Sequence, residues 1–425
     1  VYLEDIPLQK GTLYAKIFGS PSANGKIKKL DLSEAEKLPG VVKIITGKDI
    51  TGKNQIGGII QDEPLFAENE VHFHSQPVAL IVARDKETAH KAGSLIKIEI
   101  DEAEVITDPR YAYSKGLLLF PSRTFKIGEI EPAWDLCDHI FTGSAEIGGQ
   151  EHLYIENQGS YAYPTDNGSI KIHSSTQGPT AVQKIAARVL GLPMHRIEVD
   201  VARLGGAFGG KEDQASGFAS MAALAAYILQ KPVILCLDRQ DDIRMTGKRH
   251  PYSADFKIGL TKDLKIKAFQ AVLYQNGGAA TDLSPAIMER TLFHSTNSYF
   301  IPNTRVTVHS CKTNLPPNTA FRGFGAPQGV FVIESAIAHA ADELNIPAYQ
   351  IQETNFIQNG QLFQYGQIAE NVNNKKTFAS ALEIFDFEKT KAEAEKFNRE
   401  NTDKKQGLSV MPVCFGISFT KTPMK

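Results

Sequence analysis

The sequence predicts an α+β fold made of two units, a mixed α and β amino-terminal unit and a larger α+β unit after it. Three observations support this prediction. Apolar runs typical of strands alternate with helical patterns over residues 1–108. Two strand-like runs joined by a turn predict a hairpin over residues 256–274. Apolar residues recur at helical spacing over residues 330–344 and predict a long amphipathic helix.

The amino-terminal unit, residues 1–108, is predicted to alternate strands with helices. Its predicted strands cover residues 12–18, 41–46, 78–83 and 96–100, and its predicted helices cover residues 31–40 and 86–94. Pro39 and Gly40 end the first helix, because neither residue continues a helix well. Residues 109–132 contain several prolines and glycines and are interpreted as a linker.

The second unit, residues 133–425, is predicted to contain both strands and helices. Its predicted strands cover residues 141–147, 233–237, 256–260 and 265–274, and its predicted helices cover residues 180–190, 214–227, 330–344 and 389–399. The last of these helices is rich in charged residues and is predicted to face solvent.

Composition excludes several classes of function. The net charge of −2 gives no electrostatic reason to expect nucleic acid or an anionic membrane as a partner. No apolar run is long enough to span a bilayer, so we expect a cytoplasmic protein. The four cysteines lie far apart and form no CxxC, which favours reduced thiols over a zinc or iron–sulfur site. Both ends interrupt strand-like sequence, which indicates a fragment or one subunit of a larger enzyme.

The most informative segment is LGGAFGGKED, residues 204–213, here called the glycine loop. Its four glycines surround Phe208 and allow the backbone to bend tightly and approach a neighbour closely. Exposed N–H groups in such a loop form a donor site for an anion or an oxo group, and the helix that follows favours negative charge. The alternative is a structural turn. Lys211 is expected to form a salt bridge or to lie on the surface.

Two further segments contain polar side chains suited to a bound group. In the turn STQGP, Gln177 presents an amide to a ligand or belongs to a helix-capping turn. Arg290, in MERTLFHSTNSY, has apolar neighbours. It is expected to be buried beside a carboxylate or to face a ligand.

Two other segments contain aromatic residues. Residues 319–328, TAFRGFGAPQ, are here called the arginine loop; they expose backbone amides and present Phe324 to a flat ring, or they form a tight turn with core phenylalanines. Residues 415–420, FGISFT, contain Phe419 as a second aromatic face and Thr420 as a hydroxyl, although the segment alone predicts only a strand.

Taken together, these five segments resemble the xanthine dehydrogenase and oxidase family of molybdenum hydroxylases. The opening, EDIP followed by GTLYAKIFGSPSANGKIKKLDLSEA, is similar to the start of that family's molybdenum-binding region. The resemblance covers essentially the whole chain. It implies a hammerhead-like domain over residues 1–108 and the first part of a molybdopterin-binding domain over residues 133–425.

The resemblance also implies roles for individual residues. The contacts to a molybdopterin cofactor, whose molybdenum carries oxo and sulfido ligands, are implied for Gln177, Phe208, Gly209 and Arg322, with Gln177, Phe208 and Arg322 nearest the metal's oxygen ligands. Substrate contacts are implied for Glu212, Arg290, Phe324, Phe419 and Thr420. The family's general-base glutamate belongs to a later segment that does not occur in this sequence, so we expect no catalytic residue in this chain.

The implied reaction is the hydroxylation of purines, from hypoxanthine to xanthine to urate, with oxygen from water. Glu212 and Arg290 favour purines, which offer ring N–H groups and carbonyl oxygens. The alternatives are an aldehyde or other N-heterocycle hydroxylase and a non-catalytic assembly or binding fragment. The expected partners are a complementary half of the molybdenum domain and iron–sulfur and FAD modules elsewhere, in an oligomeric enzyme. The chain alone is expected to show little turnover.

Overall fold

The computed structural model describes residues 1–416 and shows an α+β fold, as predicted. The strands of this part are β1 Leu13–Gly19, β2 Gly25–Asp31, β3 Val41–Thr46, β4 Glu70–Val71, β5 Pro77–Ala83, β6 Lys97–Glu102, β7 Arg123–Ile127, β8 His139–Ile147, β9 Gly159–Thr165, β10 Ser169–Ser174, β11 Ile197–Asp200, β12 Val233–Cys236, β13 Tyr252–Leu260, β14 Ile266–Gly278 and β15 Asn303–Lys312. Its α-helices are α1 Ser33–Glu36, α2 Lys86–Gly93, α3 Pro109–Ser114, α4 Ile130–Ala133, α5 Pro179–Leu190, α6 Ala215–Leu229, α7 Arg239–Met245, α8 Ser284–Phe293, α9 Ala326–Leu344, α10 Ala348–Asn355, α11 Asn374–Ile384 and α12 Phe387–Glu400.

The strands form three sheets. A seven-stranded sheet has the order β11-β10-β9-β12-β1-β5-β3, a five-stranded sheet has the order β7-β15-β14-β13-β8, and a small sheet has the order β4-β2-β6. None of the helices in the described part is long and apolar enough to cross a membrane.

The seven-stranded sheet joins the two predicted units. Strand β1 pairs in parallel with β12, with Leu13 opposite Val233, and its other edge pairs with β5. Residues 109–132, interpreted as a linker, contain α3 and β7, and β7 pairs with β15 of the five-stranded sheet. The predicted boundaries therefore fall within hydrogen-bonded structure, because strands distant in sequence pair across them.

Most predicted elements have counterparts. Strands β3 and β5 and helices α2, α5 and α6 lie within a few residues of their predicted bounds. The first predicted helix is shorter, because its first residue still belongs to β2, which pairs with β6. Helix α8 was not predicted, although the motif that contains Arg290 begins within it.

Two apolar cores hold the helices on the sheets. Helices α5 and α6 pack on the seven-stranded sheet, and twelve of the fifteen residues of α6 are buried. Small side chains allow α6 to be enclosed on nearly every side, so its start is held rigidly. Helices α8 and α9 pack on the five-stranded sheet.

Three strand-to-helix connections lead into these packed helices. The turn of Gln177 connects β10 to α5, the glycine loop lies between β11 and α6, and the arginine loop precedes and enters α9. Strands β10 and β11 are parallel neighbours, so their carboxyl ends meet at one edge of the sheet. This topology places the turn of Gln177 beside the glycine loop.

Candidate functional site

The glycine loop and the turn of Gln177 are hydrogen-bonded to each other. The N–H of Gly209 donates to Oε1 of Gln177 at 2.9 Å. In the other direction, the N–H of Gln177 donates to the carbonyl of Lys211 at 2.8 Å, and Oγ1 of Thr176 donates to the same carbonyl at 3.0 Å. The structure therefore brings together Gln177 and Gly209, two residues that the sequence had assigned to one site.

Lys211 is buried, and the expectation of a surface position was wrong. Its side chain has 0% exposure, and Nζ donates to Oγ of Ser175 at 2.6 Å and to the carbonyls of Glu156 and Asn157 at 2.6 and 3.2 Å. These acceptors use all three donors of an ammonium. The expected salt bridge is present at 3.7 Å to the Glu156 carboxylate. Burial lowers the pKa of Lys211 to about 8.

The glycine loop and the arginine loop touch through their backbones. The N–H of Arg322 donates to the carbonyl of Phe208 at 2.9 Å. A Cβ on Gly209 would lie 2.7 Å from the carbonyl oxygen of Ala320, so this approach needs glycine. The four residues implied as cofactor contacts thus form one connected group. The N–H groups of Gly209 and Arg322 have protein acceptors in this arrangement.

Both loops hold a phenylalanine in the left-handed backbone region. Phe208 has φ +56° and Phe324 has φ +51°, and they are the only aromatic residues with positive φ in the described part. A non-glycine residue in this region costs about 1–3 kcal/mol. Such strain persists where the surroundings impose it, commonly at binding sites. The Phe208 side chain is 48% exposed and points away from the core.

Glu212 is a half-buried carboxyl group at the start of α6. Burial, followed by the charge of Asp213, raises its pKa to about 7. No hydrogen bond to its carboxylate is found within residues 1–416. Behind it, Asp213 and Asp282 line a cavity of about 50 Å³ together with Glu63. Burial raises the pKa of Asp282 to about 8, and Asp213 adds to the effect. Burial and the neighbouring charge of Asp213 therefore favour the protonated form of Glu212 below about pH 7.

Arg290 lies on α8, buried beside the end of the described chain. Its Nη1 donates to the carbonyl of Gly416 at 2.9 Å, and its guanidinium lies 5.1 Å from the ring centroid of Phe415. The ring of Phe324 packs near the same helix, against Leu283 and Ile287. The structure thus brings Arg290 to the first residues of FGISFT. Phe419 and Thr420 of that segment lie outside the described residues.

Sequence reasoning missed Arg249, which contacts the arginine loop. Its Nε donates to Oε1 of Gln150 and its Nη2 to the carbonyl of Arg322, both at 2.9 Å. The guanidinium also lies 4.2 Å from the ring centroid of Phe321. Arg249 stands in the charged run Lys248-Arg249-His250, which offered no signal, because a charged run usually indicates a solvated surface.

The hydrogen-bond donors of the two loops and of Arg249 suit an anionic cofactor that lies against the protein backbone. The glycine loop meets the arginine loop at Phe208 and Gly209, which both have positive φ, and the buried guanidinium of Arg249 lies behind the arginine loop, with Nη1 lacking an acceptor in residues 1–416. Buried cations and clustered backbone amides are the groups that bind phosphate and oxo groups. The residues present therefore fit a molybdopterin cofactor of the implied kind.

Family comparisons identify two domains in this chain. Residues 115–356 match the model of the molybdopterin cofactor-binding domain. Residues 1–104 match the model of the aldehyde oxidase and xanthine dehydrogenase a/b hammerhead domain. The chain thus contains a molybdopterin cofactor-binding domain preceded by a hammerhead domain.

Individual proteins similar to this chain include xanthine dehydrogenases and an aldehyde oxidoreductase of known structure. The chain is 38% identical over 420 residues to xanthine dehydrogenase from Dictyostelium discoideum, covering 99% of this chain and 31% of that protein. It is 39% identical over 421 residues to xanthine dehydrogenase/oxidase from Mus musculus, covering 99% and 32%. The structure of aldehyde oxidoreductase from Desulfovibrio gigas superposes with a TM-score of 0.85 at 26% identity, covering 93% of this chain and 45% of that one.

This chain belongs to the xanthine dehydrogenase family of molybdenum hydroxylases and corresponds to its molybdenum-binding region. The resemblance found in the sequence is confirmed. The chain spans about a third of the length of these curated relatives.

Proposed function

We propose that this chain forms part of the molybdenum centre of a hydroxylase that oxidises hypoxanthine to xanthine and xanthine to urate, with oxygen from water. The observation that supports this most strongly is the contact between the glycine and arginine loops, which gathers Gln177, Phe208, Gly209 and Arg322. Electrons would leave through iron–sulfur and FAD modules in other domains or subunits. The full enzyme would be an oligomer in the cytoplasm.

The molybdopterin cofactor, with oxo and sulfido ligands on its metal, would supply the redox chemistry. Gln177 would hold it through its side-chain amide, and Phe208, Gly209 and Arg322 through their main chains. For Gly209 and Arg322, binding would exchange a hydrogen bond within the protein for one to the cofactor. The strained backbone at Phe208 supports a loop shaped for a ligand.

Substrate orientation would depend on charged and aromatic side chains. The Arg290 guanidinium would stabilise the carbonyl oxygen of a purine as that oxygen gains negative charge. Glu212, with its pKa near 7, would accept or donate a hydrogen bond at a ring nitrogen and exchange its proton near neutral pH. Phe324 and Phe419 would hold the flat ring, and Thr420 would contribute a hydroxyl contact.

An aldehyde or other N-heterocycle hydroxylase is the second candidate. It is supported by the likeness to the D. gigas aldehyde oxidoreductase, which extends over nearly all of this chain. An aldehyde offers one carbonyl and no ring N–H, so it would make less use of Glu212. A site with buried polar groups discriminates strongly against substrates that leave those groups unpaired. The two candidates therefore differ in their need for Glu212 and Arg290.

Substitution of Arg290 by Met in the full-length enzyme separates the candidates. We expect kcat/KM for xanthine to fall by about 10²–10³-fold, as for loss of one donor to a developing oxyanion, and kcat/KM for an aldehyde to change little. Arg305→Met, at a surface ion pair with Glu131, is the control. Equal losses for both substrates, or retained xanthine turnover, would contradict the purine assignment.

Metal content tests the third possibility, a non-catalytic assembly fragment. We expect molybdenum, measured by elemental analysis, to accompany this chain when the downstream polypeptide is co-expressed. Xanthine-dependent dye reduction should appear in the same preparation and be weak or absent with the chain alone. A preparation that contains both polypeptides and no molybdenum would favour the assembly fragment.

A further inference from the structure

Arg249 is a buried cation whose surroundings in residues 1–416 lack a counter-charge. The backbone of Arg249 forms isolated β-bridges with Gln150 on one side and with Thr319 on the other, and the residue is 9% exposed. Its acceptors are a neutral side-chain amide and a main-chain carbonyl. No carboxylate of the described part lies within ion-pair distance of it, and burial lowers the pKa of Arg249. The adjacent Glu151 is paired with Lys248 at 2.6 Å.

One donor of this guanidinium is left over. Nη1 is buried and has no acceptor among the described residues, whereas Nε and Nη2 are both bonded. Isolated buried charges are costly, and proteins normally pair them. The ring of Phe321 below the guanidinium offsets part of this cost by a cation–π contact. The charge and the spare donor together indicate an anionic partner.

The spare donor lies beside the two loops. A Cβ on Gly323 would be 3.8 Å from Nη1 and would meet the ring of Pro327 at 2.5 Å, so this donor lies close to the arginine loop at Gly323 and Pro327. Gly323 follows Arg322, whose carbonyl accepts from Nη2 and whose N–H donates to Phe208. The imidazole of His152 also contacts the arginine loop, through a hydrogen bond between its Nε2 and the carbonyl of Ala320. Nη1 of Arg249 is thus a buried donor without an acceptor in residues 1–416, and it lies beside the group of implied cofactor contacts.

We propose that Arg249 is an anion-binding residue of the cofactor site, and that Nη1 donates to an anionic oxygen of the bound cofactor. This inference rests on the proposed cofactor and is independent of whether the substrate is a purine. The chemistry is that of an oxyanion, either a phosphate group or an oxygen on the metal. The guanidinium would then compensate the cofactor's negative charge while its other donors hold the arginine loop.

The test compares the full-length enzyme made with and without the cofactor. We expect Arg249→Met to retain about a tenth or less of the wild-type molybdenum and pterin after gel filtration, because charge-assisted hydrogen bonds are among the strong ones. The cofactor should also raise the Tm much less in this variant than in wild type. The cofactor-free variant should melt within about 5 °C of the cofactor-free wild type.

Arg239→Met is the matched control. Nη2 of Arg239 also donates to two main-chain carbonyls, those of Tyr154 and Ile155, and its guanidinium lies 5.9 Å from a tyrosine ring. Its Nη1 also lacks an acceptor among the described residues. We expect this variant to keep the cofactor. If Arg249→Met does not fold, Arg249→Gln decides, because it keeps a polar side chain with hydrogen-bond donors and removes the positive charge; wild-type cofactor retention in that variant would overturn the proposal.

Two small probes separate the possible oxyanions. Inorganic phosphate and molybdate are added separately to the cofactor-free enzyme, and the Tm is measured in wild type and Arg249→Met. A rise with phosphate that disappears in the variant assigns the donor to a phosphate group, and the same result with molybdate assigns it to an oxygen on the metal. Wild-type cofactor content and an unchanged cofactor-dependent Tm in Arg249→Met would overturn the proposal, even if xanthine is the substrate.

Discussion

The glycine loop and the arginine loop are built alike and anchored differently. Each carries a phenylalanine at positive φ beside glycine, each leads into a packed helix, and each has a buried cation behind it. Behind the glycine loop, Lys211 uses all three donors on protein oxygens and lies near a carboxylate. Behind the arginine loop, Arg249 has no carboxylate of the described part within ion-pair distance, and its Nη1 has no acceptor there.

The two buried cations therefore differ in how completely the protein itself satisfies their hydrogen-bond donors. A fully bonded ammonium contributes to the fold of the chain itself, so the glycine loop is shaped before any ligand arrives. An incompletely bonded guanidinium gains its full interaction only with a further acceptor. On the proposed role of Arg249, the arginine loop would depend more on the bound cofactor, although the two loops are joined by a main-chain hydrogen bond between Arg322 and Phe208.

The largest expected effect is the loss of the Lys211 ammonium. Lys211→Met leaves Ser175 and two buried carbonyls without their donor, together with an uncompensated Glu156. We expect the free energy of unfolding to fall by about 3–5 kcal/mol. In cofactor-free protein, Arg249→Met should cost about 1–2 kcal/mol, because lost hydrogen bonds are offset by removal of an uncompensated charge. Chemical unfolding measures both, and equal losses would remove the distinction between the loops.

A smaller effect is expected from adding one methyl group to each loop. Gly209 has φ +106° and its Cβ would meet a backbone carbonyl, so we expect Gly209→Ala to cost about 2–4 kcal/mol. At Gly323, with φ +99°, the Cβ would meet the ring of Pro327 at 2.5 Å. We expect Gly323→Ala to lower the free energy of unfolding by about 1–3 kcal/mol. Unfolding of each variant gives these values.

Gly360→Ala is the control for backbone strain alone. Gly360 has φ +85°, and a Cβ there would meet no atom of the described residues within 4 Å, so only its conformation resists substitution. We expect Gly360→Ala to lower the free energy of unfolding by about 1 kcal/mol. If Gly209→Ala costs no more than Gly360→Ala, the close approach of the two loops does not contribute to stability.

The smallest effect is the part of the pH dependence of stability that Glu212 of the glycine loop contributes. The pKa of Glu212 is about 7 in the folded protein against 4.5 ordinarily, so the folded state retains a proton that the unfolded state has lost. The free energy of unfolding therefore falls as pH rises from 4.5 to 7. Partial exposure of Glu212 limits the change to about 1–2 kcal/mol. Glu212→Gln should make this slope shallower by that amount in denaturation curves taken at several pH values, while the contribution of Asp282, whose pKa is also raised, remains.

Lys211 gives the opposite slope in a different window. Its pKa of about 8 in the folded protein lies below the ordinary 10.5, so the unfolded state holds more protons between these values and stability rises with pH. Arg249 remains charged over both windows. A slope that is the same as in wild type in both Glu212→Gln and Lys211→Met would assign the pH dependence to other groups, such as Asp282.

Local sequence predicted the elements with regular apolar spacing and missed those fixed by distant partners. Strand β3 and helix α6 were predicted because their own residues specify them. The pairing of β1 with β12 joins residues more than two hundred positions apart, and no local pattern reports it. For the same reason, residues 109–132 were interpreted as a linker although β7 finds its partner in β15.

The site shows the same division. The glycines and aromatics that shape the two loops were identified from the sequence, and Gln177, Phe208, Gly209 and Arg322 do lie together. The cations behind the loops were not identified, because burial depends on the tertiary packing around a charge. Lys211 between glycine and glutamate has the appearance of a surface residue in sequence, and Arg249 stands in a charged run.

The shared seven-stranded sheet also bears on how this polypeptide can be divided. The two family matches leave a gap between residues 104 and 115, which in sequence suggests a place for separation. A cut there would leave β1 and β12 on different fragments that pair only by association. Each fragment would then present an open strand edge, and open edges pair with whatever strand they meet. We expect the two pieces to recombine with each other when made together and to aggregate when made apart.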